Sequence, residues 1–421
     1  MVDAGYTPQQ RERVFYSFAF YHFINDAIVF LIPSLMATFY DMFGLSFFQT
    51  SIIFATNTGM IVIMQMINGH LSDRNKEKPL FLIGLCTLVL STFLLIYSFN
   101  FISLWLFTLF NGFGLGFIHA INYVTITKMY PDNREVKIGE MGGWGDAGKL
   151  IGIVSAALIL SSGTNNWQLP LQLWAGTGVI LLFFSAFTIT RFPFHQLHAV
   201  EDKTADKSIF RYSSNEKNGN HVRSKSLLIL FFMLSFMYSG HFDPMTKPIV
   251  LYLHVGRIGL SNTYAPVIYT VMMAFGALGS FVSGRMKRKL GFRNILTLCY
   301  SILIIFTIIF TFANIDNLGV DLFLLSIIGF FTLPIYTSFY SELSYYMNPN
   351  RMGISYGLLM GIGWSGGFVS SLIAGYLADL YGYQMYMITG LVFLCIALVL
   401  TFIISHLIHP KNISGTSDSK A

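Results

Sequence analysis

The chain has 421 residues, of which 54% are hydrophobic and 11% charged, with a net charge of +6. A soluble domain carries about 25% charged residues, so this composition excludes a soluble globular protein and points to a chain that crosses a membrane many times. Cys86, Cys299 and Cys395 lie in three separate apolar runs, which argues against a disulfide framework or a metal site.

Apolar runs long enough to span a bilayer fall at about 14–40, 47–72, 79–98, 102–130, 137–161 and 167–190. After a polar stretch they resume at about 226–254, 262–284, 292–313, 320–347, 352–378 and 384–407. None shows the short alternating pattern of a transmembrane barrel strand, so twelve helices are expected. The polar first residues and the length of the first run argue against a cleaved signal peptide. Span 1 is therefore expected to be retained.

The basic residues orient the chain. Of the 26 Lys and Arg, all but Lys149, Lys247 and Arg257 fall on one side when the N-terminus, every even-to-odd loop and the C-terminus share that side. By the positive-inside rule that side is cytoplasmic. The positive charge then reflects topology, and no nucleic-acid partner is implied.

Span 1 contains "YHFINDAIVFLIPSLMATFY", with His22, Asn25 and Asp26 at mid-membrane. An ionised carboxylate there needs a partner, whereas a protonated one is tolerated. Asp26 is therefore a candidate proton carrier, with His22 one turn away. Span 4 adds His119 and Tyr123. Span 5 places Asp146 three residues before Lys149, and span 7 places Asp243 four before Lys247, so each pair shares a helix face. His241 joins Asp146 and Asp243 as a candidate in proton coupling. Asn25, His119, Tyr123, Trp144, Lys149, Lys247, Tyr336 and Trp364 are candidates for solute contact, the two lysines toward an anionic group. Glu342, near the end of span 10, is expected to pair with Arg351 or a loop Lys.

The halves repeat at an offset of about 215 residues: Pro33 falls on Pro248, "GLS" at 44–46 on "GLS" at 259–261, Gly69 on Gly284 and Gly114 on Gly329. After the 2–3 loop motif "GHLSDRNKEK" (69–78), with a degenerate copy "GRMKRKLGFR" at 284–293, the chain resembles the major facilitator superfamily. That resemblance implies an all-α membrane fold of twelve transmembrane helices in two pseudo-symmetric six-helix bundles, with a solute site between them. It also implies that Gly69, Asp73 and Arg74 gate the cytoplasmic side. "HFIND", "LSFFQ", "GFGLGFIHA" and "GEMGGWGDAGKLIG" further resemble the fosmidomycin-resistance type of drug exporter, with departures at Ala120, Asp146, Lys149 and Ile153.

The expected organisation is an N-terminal bundle over 1–190, a cytoplasmic linker over 191–225, a C-terminal bundle over 226–410 and a cytoplasmic tail over 411–421. No Walker A loop, His-Glu-x-x-His or Gly-x-Ser-x-Gly occurs, so neither an enzyme nor a bound cofactor is expected. The function this supports is secondary transport of a small organic solute in the cytoplasmic membrane by a monomer. The first expectation is proton antiport, and the alternative is proton symport of an organic anion or zwitterion.

Overall fold

A computed structural model describes residues 7–74, 76–130, 133–162, 166–194, 221–257, 259–313, 317–343 and 352–408. Most of the expected linker, the tail with the Asn-x-Ser at 412–414, and Arg351 lie outside these residues, as do the side chains of Arg257 and Tyr340. Helices account for the fold, and no strand occurs among the described residues. In hydrocarbon a helix satisfies its own backbone hydrogen bonds, and local sequence decides where each one starts. Thr7 and Gln10 form a capping box at the head of α1 (Pro8–Phe43), which stops at Gly44 with φ 59°. Ser46 and Gln49 form another box at the head of α2 (Phe47–Ser72), and Asn100 and Ser103 a third at the head of α4 (Phe101–Leu115).

The first half continues with α3 (Glu77–Leu95), α5 (Ile118–Met129), α6 (Arg134–Ser161) and α7 (Gln168–Arg191). Helices α4 and α5 together make one span, interrupted beside Gly116. In the second half α8 (His221–Thr246) gives way after Pro244 to the short α9 (Ile249–Leu251) and a π-helical turn, Tyr252–Arg257. Proline removes a backbone donor, which accounts for the broken end of that span. Then follow α10 (Ala265–Phe312), α11 (Leu318–Leu343), α12 (Met352–Tyr381) and α13 (Met385–Ile408).

Among the described residues eleven helices are long and apolar enough to cross a membrane, where the sequence predicts twelve. The difference lies in α10. Its 48 residues would run about 72 Å if straight, more than twice a hydrocarbon core of roughly 30 Å. Gly291 breaks it with φ 78° and ψ 165°, a conformation that glycine adopts freely. The eighth and ninth expected spans are thus both present, as two helices that meet at Gly291 without an intervening loop.

Among the described residues two large hydrophobic cores form, with a small cluster of Ala374, Ala378 and Tyr386 beside Phe47. One joins α1–α7 from Val14 to Phe194, and Trp364 of α12 packs against it. The other joins α8–α13 and takes in Phe30, Ala37, Tyr123, Val124 and Ile153 from the first half. The halves meet closely along α2 and α12, which run antiparallel. Gly69 faces Gly353 and Gly357, Met66 faces Gly361, Gly59 faces Phe368 and Ser51 faces Gly375. Small residues let two backbones approach this closely. A Cβ at Gly69 would strike the Gly353 carbonyl oxygen and come within 2.8 Å of the Gly357 Cα.

Both ends of this seam are tied. At one end Gly353 N–H and Ile354 N–H donate to the two carboxylate oxygens of Asp73, at 2.8 and 2.9 Å. At the other, Phe47 N–H and Phe48 N–H donate to Asp379 at 2.9 and 3.2 Å, and the Ser46 hydroxyl donates at 2.9 Å. Tyr386 reinforces that end by donating to the Phe47 carbonyl and pairing with the Ser51 hydroxyl, both at 2.9 Å. Each helix therefore presents a carboxylate to the other's unsatisfied N-terminal N–H groups, where the helix dipole favours negative charge.

Gly69→Leu is expected to cost about 1–3 kcal/mol through overpacking of the seam, read as a lowered thermal midpoint of the purified protein. Gly139→Ala, where an added Cβ meets nothing within 4 Å, is expected to leave the midpoint unchanged.

Candidate functional site

The polar trio of α1 sits at the meeting of three helices. Glycines hold α6 against α1: a Cβ at Gly148 would strike the Phe23 carbonyl oxygen, and one at Gly152 would come 2.8 Å from the Ala27 Cα. At Gly145 a Cβ would lie 2.8 Å from Asp26 Oδ2 and 2.9 Å from His22 Nε2. Only a glycine lets α6 pass this close to the carboxylate. α5 brings His119 from the third side.

Asp26, 3% exposed, is the hub. Lys149 Nζ lies 3.4 Å from Oδ2, His22 Nε2 lies 3.6 Å from Oδ2, and His119 Nε2 lies 3.7 Å from Oδ1. The Asn25 amide donates to Oδ1 at 3.2 Å and approaches His119 Nε2 at 3.4 Å. Lys149 also holds Asp146 at 2.8 Å. His22 Nδ1 is 3.0 Å from the Met141 carbonyl, which fixes that ring nitrogen as the protonated one when the imidazole is neutral. The two imidazoles meet edge to face at 4.9 Å, and His119 meets the Trp364 ring of the opposite half at 5.1 Å.

The charge count matters here. One ammonium faces two carboxylates, so with neutral imidazoles and ionised acids the cluster carries one unbalanced negative charge in a low-dielectric setting. A single added proton on a carboxylate or imidazole balances it. His22, Asp26 and His119 place ligand-type atoms within 4.8 Å of one another, a spacing that could suit a metal ion. The Lys149 ammonium already supplies the cation beside that carboxylate, so the grouping fits a proton better than a metal.

The second ion pair lies at the seam. Lys247 Nζ is 2.6 Å from Asp243 Oδ2 and donates to Thr58 Oγ1 of α2 at 2.5 Å. The Thr58 hydroxyl sits 3.0 Å from the same carboxylate oxygen. Beside the pair is a cavity with room for about one water, lined by Val29, Ile32, Pro33, Phe54, Asn57, Thr108 and Lys247.

Sequence candidates separate accordingly. His22, Asn25, Asp26, His119, Asp146 and Lys149 come together, with Trp364 against them. Asp243 and Lys247 form their own centre. Tyr123 stacks on Tyr356 at 5.5 Å across the halves. Trp144 turns instead to Tyr16, Phe20 and Phe23, and Tyr16 and Phe20 are exposed on the outer face of α1. Among the described residues no side chain hydrogen-bonds to His241, the repeat counterpart of Asp26, which lies against the Tyr238 ring. Tyr336 packs near Tyr238 at 6.0 Å. Glu342 pairs with Lys287 at 3.2 Å, the loop-lysine option. Asp73 reaches the other half as described, Gly69 lies in the seam, and Arg74 is exposed beside them.

Sequence reasoning missed Thr58, Asp379, and the pair Asp41–His254, 3.0 Å apart at the Asp379 end. No motif marks Thr58, Asp41 or His254, whereas Asp379 follows Gly375 at the same spacing as Asp73 follows Gly69. At the opposite end Tyr130, outside the spans, donates to Glu12 at 2.8 Å. Burial and that hydrogen bond push its phenol well above the ordinary value.

The sequence profile of the Major Facilitator Superfamily matches residues 18–371. No curated protein matches the chain. Among solved structures, the nucleoside transporter NupG aligns with a TM-score of 0.66 at 14% identity, covering 94% of this chain and 99% of its own. The human organic anion transporter MFSD10 (TETRAN) aligns at 0.68 and 15%, covering 94% and 100%. The E. coli fucose:proton symporter FucP aligns at 0.64 and 17%, covering 93% and 98%. At such identities the likeness establishes the fold.

Breaking the seam pair with Lys247→Met is expected to cost about 3–5 kcal/mol, because Asp243 stays buried and uncompensated. Asp243→Leu/Lys247→Met together are expected to regain most of that loss. Thermal unfolding of the two variants checks both outcomes.

Proposed function

The chain belongs to the major facilitator superfamily, and on that premise we propose that it moves a small organic solute across the cytoplasmic membrane by proton-coupled alternating access, with Asp26 carrying the proton. The carrying observation is the position of Asp26 between Lys149, His22 and His119, in a cluster one positive charge short of balance. A proton arriving there frees Lys149 from one of its two carboxylates. That gives solute binding and proton binding a shared group, which is what coupling requires.

The two bundles rock about the seam, with the Asp73 and Asp379 contacts released one at a time. The basic end faces the cytoplasm under the positive-inside rule. Antiport leading to efflux is the first direction, on the likeness of the first half to drug exporters. Symport of an organic anion or zwitterion is the second, favoured by the cationic Lys247 where the halves meet.

Proteoliposomes containing a pH-sensitive dye test this reading. Drugs, nucleosides, sugars and carboxylates are added in turn under an imposed pH gradient. A transported solute is expected to move protons with it, and Asp26→Asn is expected to abolish gradient-driven movement while leaving solute exchange without a gradient. Gradient-driven transport that survives in Asp26→Asn overturns the assignment of the proton. Accumulation of a carboxylate, lost in Lys149→Ala, selects symport over efflux.

A further inference from the structure

The first arm of α10, before Gly291, carries one face that changes character along its length. Phe275, Leu278 and Phe281 recur at three-residue spacing and are exposed, Phe281 to 76%. That places them toward lipid. The same stripe continues through Val282 to Arg285, Arg288 and Lys289, all exposed. Val282, Arg285, Met286, Arg288 and Lys289 line a groove of about 330 Å³ at the end of the span.

Three other cations at this end of the molecule meet carboxylates. Lys128 faces Glu77, Lys137 faces Glu12 and Glu140, and Lys287 takes Glu342. Among the described residues no carboxylate lies within ion-pair distance of Arg285, Arg288, Lys289 or Arg293. Two of them lean on rings instead: Arg285 lies 5.8 Å from the Phe281 ring and Arg293 lies 5.3 Å from that of Phe402. The positive-inside rule accounts for the sign of these residues. It does not account for a groove of unpaired guanidinium groups directly above a lipid-facing aromatic stripe.

We propose that this groove binds the phosphate headgroup of an anionic bilayer phospholipid, with its acyl chains along Phe275, Leu278 and Phe281. The guanidinium forks suit phosphate oxygens, the apolar stripe suits the chains, and both occur in the order a lipid presents them. The groove ends beside Gly291, so a bound lipid holds the bend between two spans of the second half.

Native mass spectrometry of the full chain in neutral detergent tests the site, using phosphatidylglycerol, phosphatidylcholine with the same acyl chains, and inorganic phosphate. Phosphatidylglycerol is expected to be retained in preference to phosphatidylcholine. Arg285→Gln/Arg288→Gln/Lys289→Gln is expected to weaken its binding roughly a hundredfold, since each cation near the surface contributes about fivefold. Arg285→Lys/Arg288→Lys, which keeps the charge, is expected to retain most of the preference. The thermal midpoint without added lipid shows whether the triple variant has folded, and the wild-type comparison of the two lipids stands without it. Equal retention of the two lipids by the wild type overturns the proposal, as does undiminished phosphatidylglycerol binding by a folded triple variant. Displacement of the lipid by millimolar inorganic phosphate also overturns it, reassigning the groove to a soluble anion.

Discussion

A helix leaves its first N–H groups without partners, and here each half of the molecule completes a helix of the other. Asp73, at the end of α2, receives the first N–H groups of α12, and Asp379, near the end of α12, receives those of α2. Between these ties the helices are separated by glycines, so contact is close and contains few large side chains that must interlock. Such a seam is strong at its ends, where a handful of hydrogen bonds can be exchanged for water. With both ends tied, the seam is shut toward both faces of the membrane. Opening toward either face would cost one of the two carboxylate contacts.

The centre of the molecule is arranged differently. Buried ion pairs seldom stabilise a protein more than apolar packing of the same volume would. Two charged centres in one membrane core are therefore a stability burden that packing alone does not explain. The cluster on α1, α5 and α6 has an odd charge count, and Gly145 keeps its hub uncrowded. The Asp243–Lys247 pair is balanced and in direct contact, and the Thr58 hydroxyl of the opposite half bonds to both partners. Movement of α2 relative to α8 must break those two hydrogen bonds. The seam and the Asp243–Lys247 pair are thus joined at Thr58.

Much of the fold was legible because lipid demands long apolar helices and places basic residues on one side. The Gly69–Asp73 spacing was readable for a similar reason: close approach requires glycine, and a helix end requires a carboxylate. Asp379 has the same physical role and stands four residues after Gly375, the spacing of Gly69 and Asp73, but no arginine follows it and the stretch was not singled out. Thr58 looked like any threonine in a membrane helix, since its partner is 189 residues away. The break near Gly291 was expected from the basic stretch between two apolar runs, but that stretch resembles a loop and in fact continues the helix. The direction of the Trp144 ring depends on how α6 rotates against α1. Periodicity did not settle that rotation, because glycines and apolar residues surround it on several faces. His241 shows the limit of the repeat: its position matches Asp26, but among the described residues no side-chain carboxylate or amide meets it.

The central claim is that two carboxylates, one at each end of α2 and α12, hold the halves shut and release independently. Spin-label distances across the two ends of the seam, measured in the full chain in lipid, test it most directly. Asp73→Ala is predicted to lengthen the distance at its own end and leave the other unchanged, and Asp379→Ala is predicted to do the reverse. Distances that stay short at both ends in both variants, or lengthen at both ends in either one, would contradict it.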